Sequence, residues 1–549
     1  MNSMNLKIRS KFNTKTLLIL IIILSVVLRF WNLGSVPPSP DWDEVAYGYN
    51  AYSILNTGAD EYGVREPVIL RSYDDYKPAL YSYLTIPSVA IFGLNTFSVR
   101  FADAAISVLG VIAVFYLVKA LLKRNDIALL SSFFLAVSPW QIQFSRFSHE
   151  AVIGVTLNIL VVLFFLLGLK RHKYLIVSAI FWALSFYSYQ SEKLFAPLLG
   201  ILLFVVYLKE IVKLPKKYIA LSVLAAFLVL APMGNYILHN SKALSRATGT
   251  SIFSHQTELL DQSAKQLILD HQSHNYVGLI VNNRRVVYAE TFVKNYFVHF
   301  DPNWLFIKGD LERHHPPGMG VLYYWDFPFI LLGIWFLIRT KLVGRKIKLL
   351  IFGWFLLAPV PAAFTFDVPH AARDLNVLPV FQIFTALGVF SLFSFIKNKY
   401  SRAFFKFSVG VVSVLFLINF SYYCYQYFVR LDYQYSAQWQ YGYQQAIEEI
   451  ENIQGNYNQI IVSNEVPMDQ SYMFFLFYLK YPPKLYQEQG SRKSFDKFVF
   501  RHINFKIDSK IPSTLIVGSD KDIPREAGII DRVNLLNGAP AIIITKSND

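Results

Sequence analysis

A single cysteine, Cys424, stands among 549 residues. It lies inside an apolar run, so an intramolecular disulfide framework and a cysteine-based zinc site are both excluded. Charge is also scarce: Asp, Glu, Lys and Arg make up 16% of the chain, against 54% hydrophobic residues. A soluble chain of this length needs far more polar surface, so the composition is that of a polytopic membrane protein. The chain has no Gly-rich nucleotide-binding loop, internal repeat or low-complexity stretch. Charged residues are nearly missing from the apolar runs, which speaks against a proton or ion relay through the bilayer. The net charge of +15 does not point to nucleic acid, because the Lys and Arg are scattered through short connections rather than gathered on one patch.

Apolar runs of membrane-spanning length fall at 16–28, 98–118, 126–140, 151–169, 174–189, 194–208, 218–238, 323–338, 349–364, 377–396 and 404–424, eleven in all. Lys7, Arg9, Lys11 and Lys15 precede the first. No small-x-small cleavage site follows it, and Phe30-Trp31 suits an interfacial anchor, so this run reads as an uncleaved span with its basic side in the cytoplasm. Alternate connections carry Lys119, Lys123 and Arg124; Lys170, Arg171 and Lys173; Lys209, Lys213, Lys216 and Lys217; Arg339, Lys341, Arg345, Lys346 and Lys348; Lys397, Lys399 and Arg402. All of them fall on the side of the N-terminus, as the positive-inside rule requires. Four segments then face outward at the cell membrane: residues 32–97, the turn 141–150, the loop 239–322, and the tail after Tyr425. Tyr81 to Leu94 reads alternatively as an extra interfacial or re-entrant helix.

The expected architecture is therefore mainly α, with a transmembrane domain at 1–425 and a small extracytoplasmic domain at 426–549. In the tail, Ser436 to Ile453 has the spacing of an amphipathic helix and Met468 to Leu479 that of another. Gln459 to Ser463, Thr514 to Gly518 and Ala541 to Thr545 read as strands, which together make a small α/β unit. It carries no catalytic motif, so packing or acceptor docking is its plainer role.

The chemistry-bearing residues sit in the outward segments. Asp41, Asp43 and Glu44 cluster just past the first span. Asp43 suits a helix cap, since a carboxylate accepts hydrogen bonds from free amides and favours the positive end of the dipole. Metal binding by the Asp-x-Asp pair is an alternative that lacks a third ligand nearby. Lys77-Pro78 follows Tyr73-Asp74-Asp75-Tyr76 and reads as a helix entrance, where a lysine meets a phosphate or simply snorkels. Further clusters are Arg146, His149 and Glu150; Tyr187, Tyr189, Glu192 and Lys193; His299, Asp301, Arg313, His314 and His315; and Asp367, His370 and Arg373. Arg, His and acid on one face, with only Lys and Arg on the other, suggest a shared anionic ligand.

DEVAYGYNAYSILNTGADEYG, YKPALYSYLTIP, FSVRFADA, SPWQIQFSRFSHEA, FYSYQSEKLFAPLL, HHPPGMGVLYY and FDVPHAARDLNVLP occur in that order over residues 15–425. This order resembles the GT-C glycosyltransferases that use polyprenyl-phosphate sugars. In particular it is similar to bacterial dolichyl-phosphate-mannose-protein mannosyltransferase-like proteins of glycosyltransferase family 39, relatives of the lipid A aminoarabinose transferases. The resemblance implies a GT-C fold and transfer of a sugar, with inversion, to an acceptor hydroxyl outside the membrane. It implies Asp43 as the catalytic carboxylate with Glu44 beside it, and Lys77 as a ligand of the lipid phosphate. Arg100, Arg146, His149, Glu150, Tyr189, His370 and Arg373 follow as substrate-binding residues. Membrane lipids and the prenyl-linked donor are the implied partners, and the acceptor stays open among lipid, glycan and protein. His149-Glu150 departs from the acid with a small apolar partner that relatives often carry at the second outward turn, and the tail is unlike the β-trefoil insert of eukaryotic mannosyltransferases. No cofactor is called for, and a divalent metal stays open. The alternative is a transporter or flippase of a lipid-linked or small solute.

Overall fold

The computed structural model describes residues 13–73, 75–240, 249–254 and 258–547. Lys7, Arg9, Lys11 and Asp74, all named above, lie outside the described residues. Ahead of residue 240 the described helices are α1 (Thr14–Phe30), α2 (Trp42–Thr57), α3 (Leu80–Phe92), α4 (Thr96–Leu122), α5 (Asn125–Val137), α6 (Pro139–Arg146), α7 (Ala151–Gly168), α8 (Lys173–Ser185), α9 (Glu192–Ile211) and α10 (Lys216–His239). Among the described residues seven helices are long and apolar enough to cross a membrane, or eight if the bent pair α5 and α6 counts as one. That is fewer than the expected eleven. All eleven runs are helical, but α1, α8 and the helix Asp326–Arg339 have 17, 13 and 14 residues, below the roughly 20 that cross a hydrocarbon core untilted. The bend of 52° between α5 and α6 has a local cause. Ser138 precedes Pro139, and the proline ring pushes the residue before it out of the helical region; Ser138 is extended, at φ −61 and ψ 125, and caps the new helix.

Some of the basic connections approach one another. Lys346 is ion-paired with Glu210, joining two of them, and the Arg124 guanidinium lies 4.5 Å from the Phe390 ring centroid near the end of a third helix.

α2 begins with a capping box: Asp41 accepts from the Glu44 amide at 2.9 Å, and Glu44 accepts from the Asp41 amide at 3.0 Å. The cap is thus Asp41, not Asp43, whose side chain is ion-paired with Lys77. The helix stops at Gly58, whose φ of +70 suits a residue without a Cβ. Strands β1 (Ile69–Ser72) and β2 (Asp75–Pro78) pair antiparallel, with Leu70 opposite Lys77. Lys77-Pro78 therefore closes a strand rather than opening a helix, and α3 starts at Leu80.

The tail is α/β, as expected. Strands β3 (Gln459–Val462), β4 (Ser494–Phe495), β5 (Phe498–Phe500), β6 (Thr514–Gly518), β7 (Ile529–Asn534) and β8 (Pro540–Lys546) form one sheet in the order β4-β5-β3-β6-β8-β7. β3 runs parallel to both β5 and β6. The expected helices appear as Tyr443–Ile453 and Ser471–Tyr478. The last apolar helix runs on to Tyr435, past the expected boundary at 425. The tail does not stand apart: Val45, Ala46 and Tyr49 of α2 share a core with Ile447, Phe474 and Phe477. A Cβ on Gly48 would lie 2.5 Å from Val99 Cγ2 and 2.8 Å from Phe477 Cε2. Only glycine lets α2 pass between α4 and the tail at that distance.

Candidate functional site

Asp43 sits in the first turn of α2 with its side chain 31% exposed, and it is ion-paired with Lys77, whose side chain is 4% exposed. The hairpin β1–β2 delivers Lys77, and its Nζ also lies 5.5 Å from the Tyr47 ring centroid. Gln190 Nε2 donates to the Tyr76 carbonyl at 3.0 Å, and Lys193 Nζ donates to Gln190 Oε1 at 2.6 Å, fastening this strand to the turn before α9. Beside the pair, buried Asp41 is bound by Arg313, whose guanidinium lies 4.7 Å from the Trp42 ring centroid. Burial pushes the Asp41 carboxyl up to about 6, against the pull of Arg313. The Arg313 carbonyl accepts from Gln143 Nε2 at 2.7 Å, which seats the long loop on α6.

The next residue, His314, opens a second cluster. Its Nδ1 is 2.8 Å from Asp310 Oδ2, and its ring lies 5.0 Å from His370, 5.1 Å from Phe144 and 6.3 Å from His149. His149 in turn is 5.1 Å from Tyr189. The His370 amide donates to His299 Nε2 at 3.3 Å, and the Ala371 amide donates to Asp310 Oδ2 at 2.7 Å. Burial, helped by the charge of Arg373, drives His370 well below the usual histidine range. Burial likewise takes His299 down to about 4. For Asp310 burial works in the opposite direction, but His314 and the Ala371 amide outweigh it and hold the carboxyl below its usual value. Asp310, His314 and His370 offer ligand atoms within 4.8 Å of one another, a set able to hold a cation. Carboxylate and neutral imidazole suit a borderline divalent ion.

Of the residues singled out from sequence, the structure thus gathers Asp43 and Lys77 in one group, and His149, Tyr189 and His370 in another, with Arg313 and His314 joining them. Glu150 lies buried at the start of α7, next in sequence to His149. Glu44, Arg100 and Arg146 are placed differently. The Glu44 and Arg100 side chains expose no surface. Arg100 Nε donates to Glu44 Oε1 at 2.7 Å and Nη2 to Glu44 Oε2 at 3.0 Å. Its other donors reach the carbonyls of Leu33, Pro37 and Ser39 at 2.8 to 3.1 Å. Glu44 also accepts from the Ser148 amide at 3.2 Å, so it links α2 to the turn that carries His149. Arg146 closes the C-terminal end of α1, donating to the carbonyls of Leu28, Arg29, Trp31 and Val36 at 2.8 to 3.0 Å. Glu44, Arg100 and Arg146 therefore brace the walls. Arg373 holds its own loop through Thr365 Oγ1 at 2.7 Å and the Asp367 carbonyl at 3.2 Å. Asp310 and Asp103 escaped the sequence reading. Asp103 Oδ2 accepts from the His149 amide at 2.7 Å. For Asp310 a signal existed, the i,i+4 spacing to His314; for Asp103, inside an apolar run, nothing pointed to His149.

Residues 76–236 match the family model for dolichyl-phosphate-mannose-protein mannosyltransferase, less than a third of the chain. No curated protein matches this sequence. Among solved structures, ArnT from Cupriavidus metallidurans bound to undecaprenyl phosphate aligns over 98% of this chain and 99% of its own, with a TM-score of 0.58 at 11% identity. Archaeal oligosaccharyltransferase AglB from Archaeoglobus fulgidus, in complex with an inhibitory peptide and a dolichol-phosphate, aligns over 92% of this chain and 69% of its own, with a TM-score of 0.51 at 14% identity. These likenesses show the fold, which is GT-C. The family match covers only part of the chain and the likenesses carry the fold, so the chain is a multi-pass membrane protein with a GT-C fold. The transporter alternative is not favoured.

Proposed function

We propose that the chain moves a sugar from a polyprenyl-phosphate donor to an acceptor hydroxyl on the extracytoplasmic face, with Asp43 and Lys77 at the centre of the reaction. The observation that carries this reading is the Asp43–Lys77 ion pair beside Arg313. The known lipid ligands of ArnT and AglB, undecaprenyl phosphate and dolichol-phosphate, support a donor of this chemistry. The leaving group is already a phosphate, so it needs cations rather than a general acid. The donor phosphate takes Lys77 from Asp43, and the freed carboxylate accepts the proton of the attacking hydroxyl as the new glycosidic bond forms. Attack from the face opposite the phosphate inverts the anomeric carbon. His149, Glu150, Tyr189, His370 and Arg373 line the acceptor side, while Glu44, Arg100 and Arg146 hold the frame.

The basic connections then face the cytoplasm with the N-terminus, and the tail domain lies outside, over α2. The test is to incubate purified protein with a panel of prenyl-phosphate sugars and follow released prenyl phosphate by mass spectrometry. Release by the wild type and its loss in Asp43→Asn is the expected result. Full transfer by that variant refutes the assignment.

A further inference from the structure

Among the described residues between α10 and the helix Asp326–Arg339 are the α-helices Glu258–Gln272, Tyr276–Val281 and Arg284–Val298. Their buried residues are only Ser263, Asp270, Gly278 and Val287. Apolar side chains instead face out: Ile268 and Leu269 are 59% and 55% exposed, and Tyr276, Val277, Ile280 and Val281 are 71%, 70%, 69% and 56% exposed. An exposed apolar cluster of this kind marks an interaction surface.

The turn that presents these side chains is tightly built. Asp270, buried, accepts from Asn275 Nδ2 at 2.9 Å and from Asn282 Nδ2 at 2.7 Å. Asn275 Oδ1 caps the short helix through the Gly278 amide at 3.0 Å. Gly278 passes so near the Asp270 carboxyl that a Cβ there would meet it at 2.3 Å. Within the turn Asp270 gathers Asn275 and Asn282, while the apolar side chains stand exposed beside the polar residues 271–275.

Two observations name the covering medium. The helix Arg284–Val298 is fastened to the end of a candidate span: Tyr296 Oη donates to the Leu356 carbonyl at 2.8 Å, Phe300 lies 5.2 Å from Phe355, and Phe292 lies 4.6 Å from Phe364. The unit is therefore packed against a candidate membrane span. Exposed Arg284 and Arg285 flank the tip, which suits anionic headgroups.

We propose that residues 258–298 form a wedge that inserts the tip Tyr276–Val281, with Ile268 and Leu269, into the leaflet on the side of the candidate site, its basic flank on anionic lipid headgroups. The wedge ends at His299, whose ring accepts from the His370 amide, so seating in lipid fixes the depth of the histidine cluster.

The test uses the full chain with Cys424→Ser, a single environment-sensitive fluorophore at Val277→Cys or, separately, Ile280→Cys, and a control at exposed Asp520→Cys in the tail. Each is reconstituted into phosphatidylcholine vesicles with and without phosphatidylglycerol. Blue-shifted emission at positions 277 and 280, quenched by lipids brominated on the acyl chains and strengthened by phosphatidylglycerol, is the expected result, with the control unchanged. Emission at both positions that iodide quenches freely and brominated lipid leaves alone overturns the proposal. So does a disulfide-linked dimer of the unlabelled Val277→Cys protein, which would make a second copy the covering surface.

Discussion

Lys77 and Asp43 form an ion pair across thirty-four positions of chain, with one side chain almost buried and the other one-third exposed. The pair is half open, so an incoming anion reaches Lys77 only by displacing a carboxylate already in place. Lys77→Ala is expected to weaken binding of a prenyl phosphate by about 1.5 to 3 kcal/mol, the worth of one charge-assisted hydrogen bond. Equilibrium binding in detergent measures it. Unchanged affinity would remove Lys77 from the site.

Glu44 and Arg100 answer to a different assay. Both are buried and each satisfies the other, so removing one leaves an uncompensated charge. Glu44→Gln or Arg100→Met is expected to cost about 3 to 5 kcal/mol of stability, seen as a large drop in the thermal midpoint. A variant that melts normally yet loses donor affinity would instead make the residue a ligand.

Gly48 tests whether the tail domain positions α2. Gly48→Ala forces a methyl group against Val99 and Phe477, an overpacking cost of about 1 to 3 kcal/mol. The expected outcome is a lower thermal midpoint together with slower transfer. A midpoint lowered without any change in transfer would show that the tail does not place Asp43.

Glu61 carries a pH dependence. It lies buried where the first outward segment meets the tail, accepting from Tyr472 Oη at 3.3 Å, and burial, with Asp60 nearby, pushes it up to about 8. The folded state therefore holds its proton more tightly than the unfolded chain does, where the carboxyl titrates near the ordinary value of 4.5. Stability from this group is full below that value and is lost as pH rises through about 8. The thermal midpoint should fall by several degrees between those limits, and Glu61→Gln should flatten the curve and melt higher at the alkaline end. An unaltered slope in the variant would clear Glu61 of the effect.

Apolar runs, basic connections and the strand and helix pattern of the tail were legible from the chain alone, because hydropathy and periodicity are local properties that packing does not rearrange. The order of motifs likewise announced the fold. Direction was not legible. Asp41, Asp43 and Glu44 are near neighbours, yet successive side chains leave a helix about 100° apart, so one caps, one pairs with Lys77 and one is sealed against Arg100. Whether an arginine is a ligand or a brace depends on carbonyls that other segments bring to it. Arg100 and Arg146 found theirs in the backbone of residues 28–39, and Arg313 found Asp41 from 272 positions away. Sequence set the material and the spans; three-dimensional packing alone chose the partners, because a polar group buried without a partner is costly and takes those the fold places within reach.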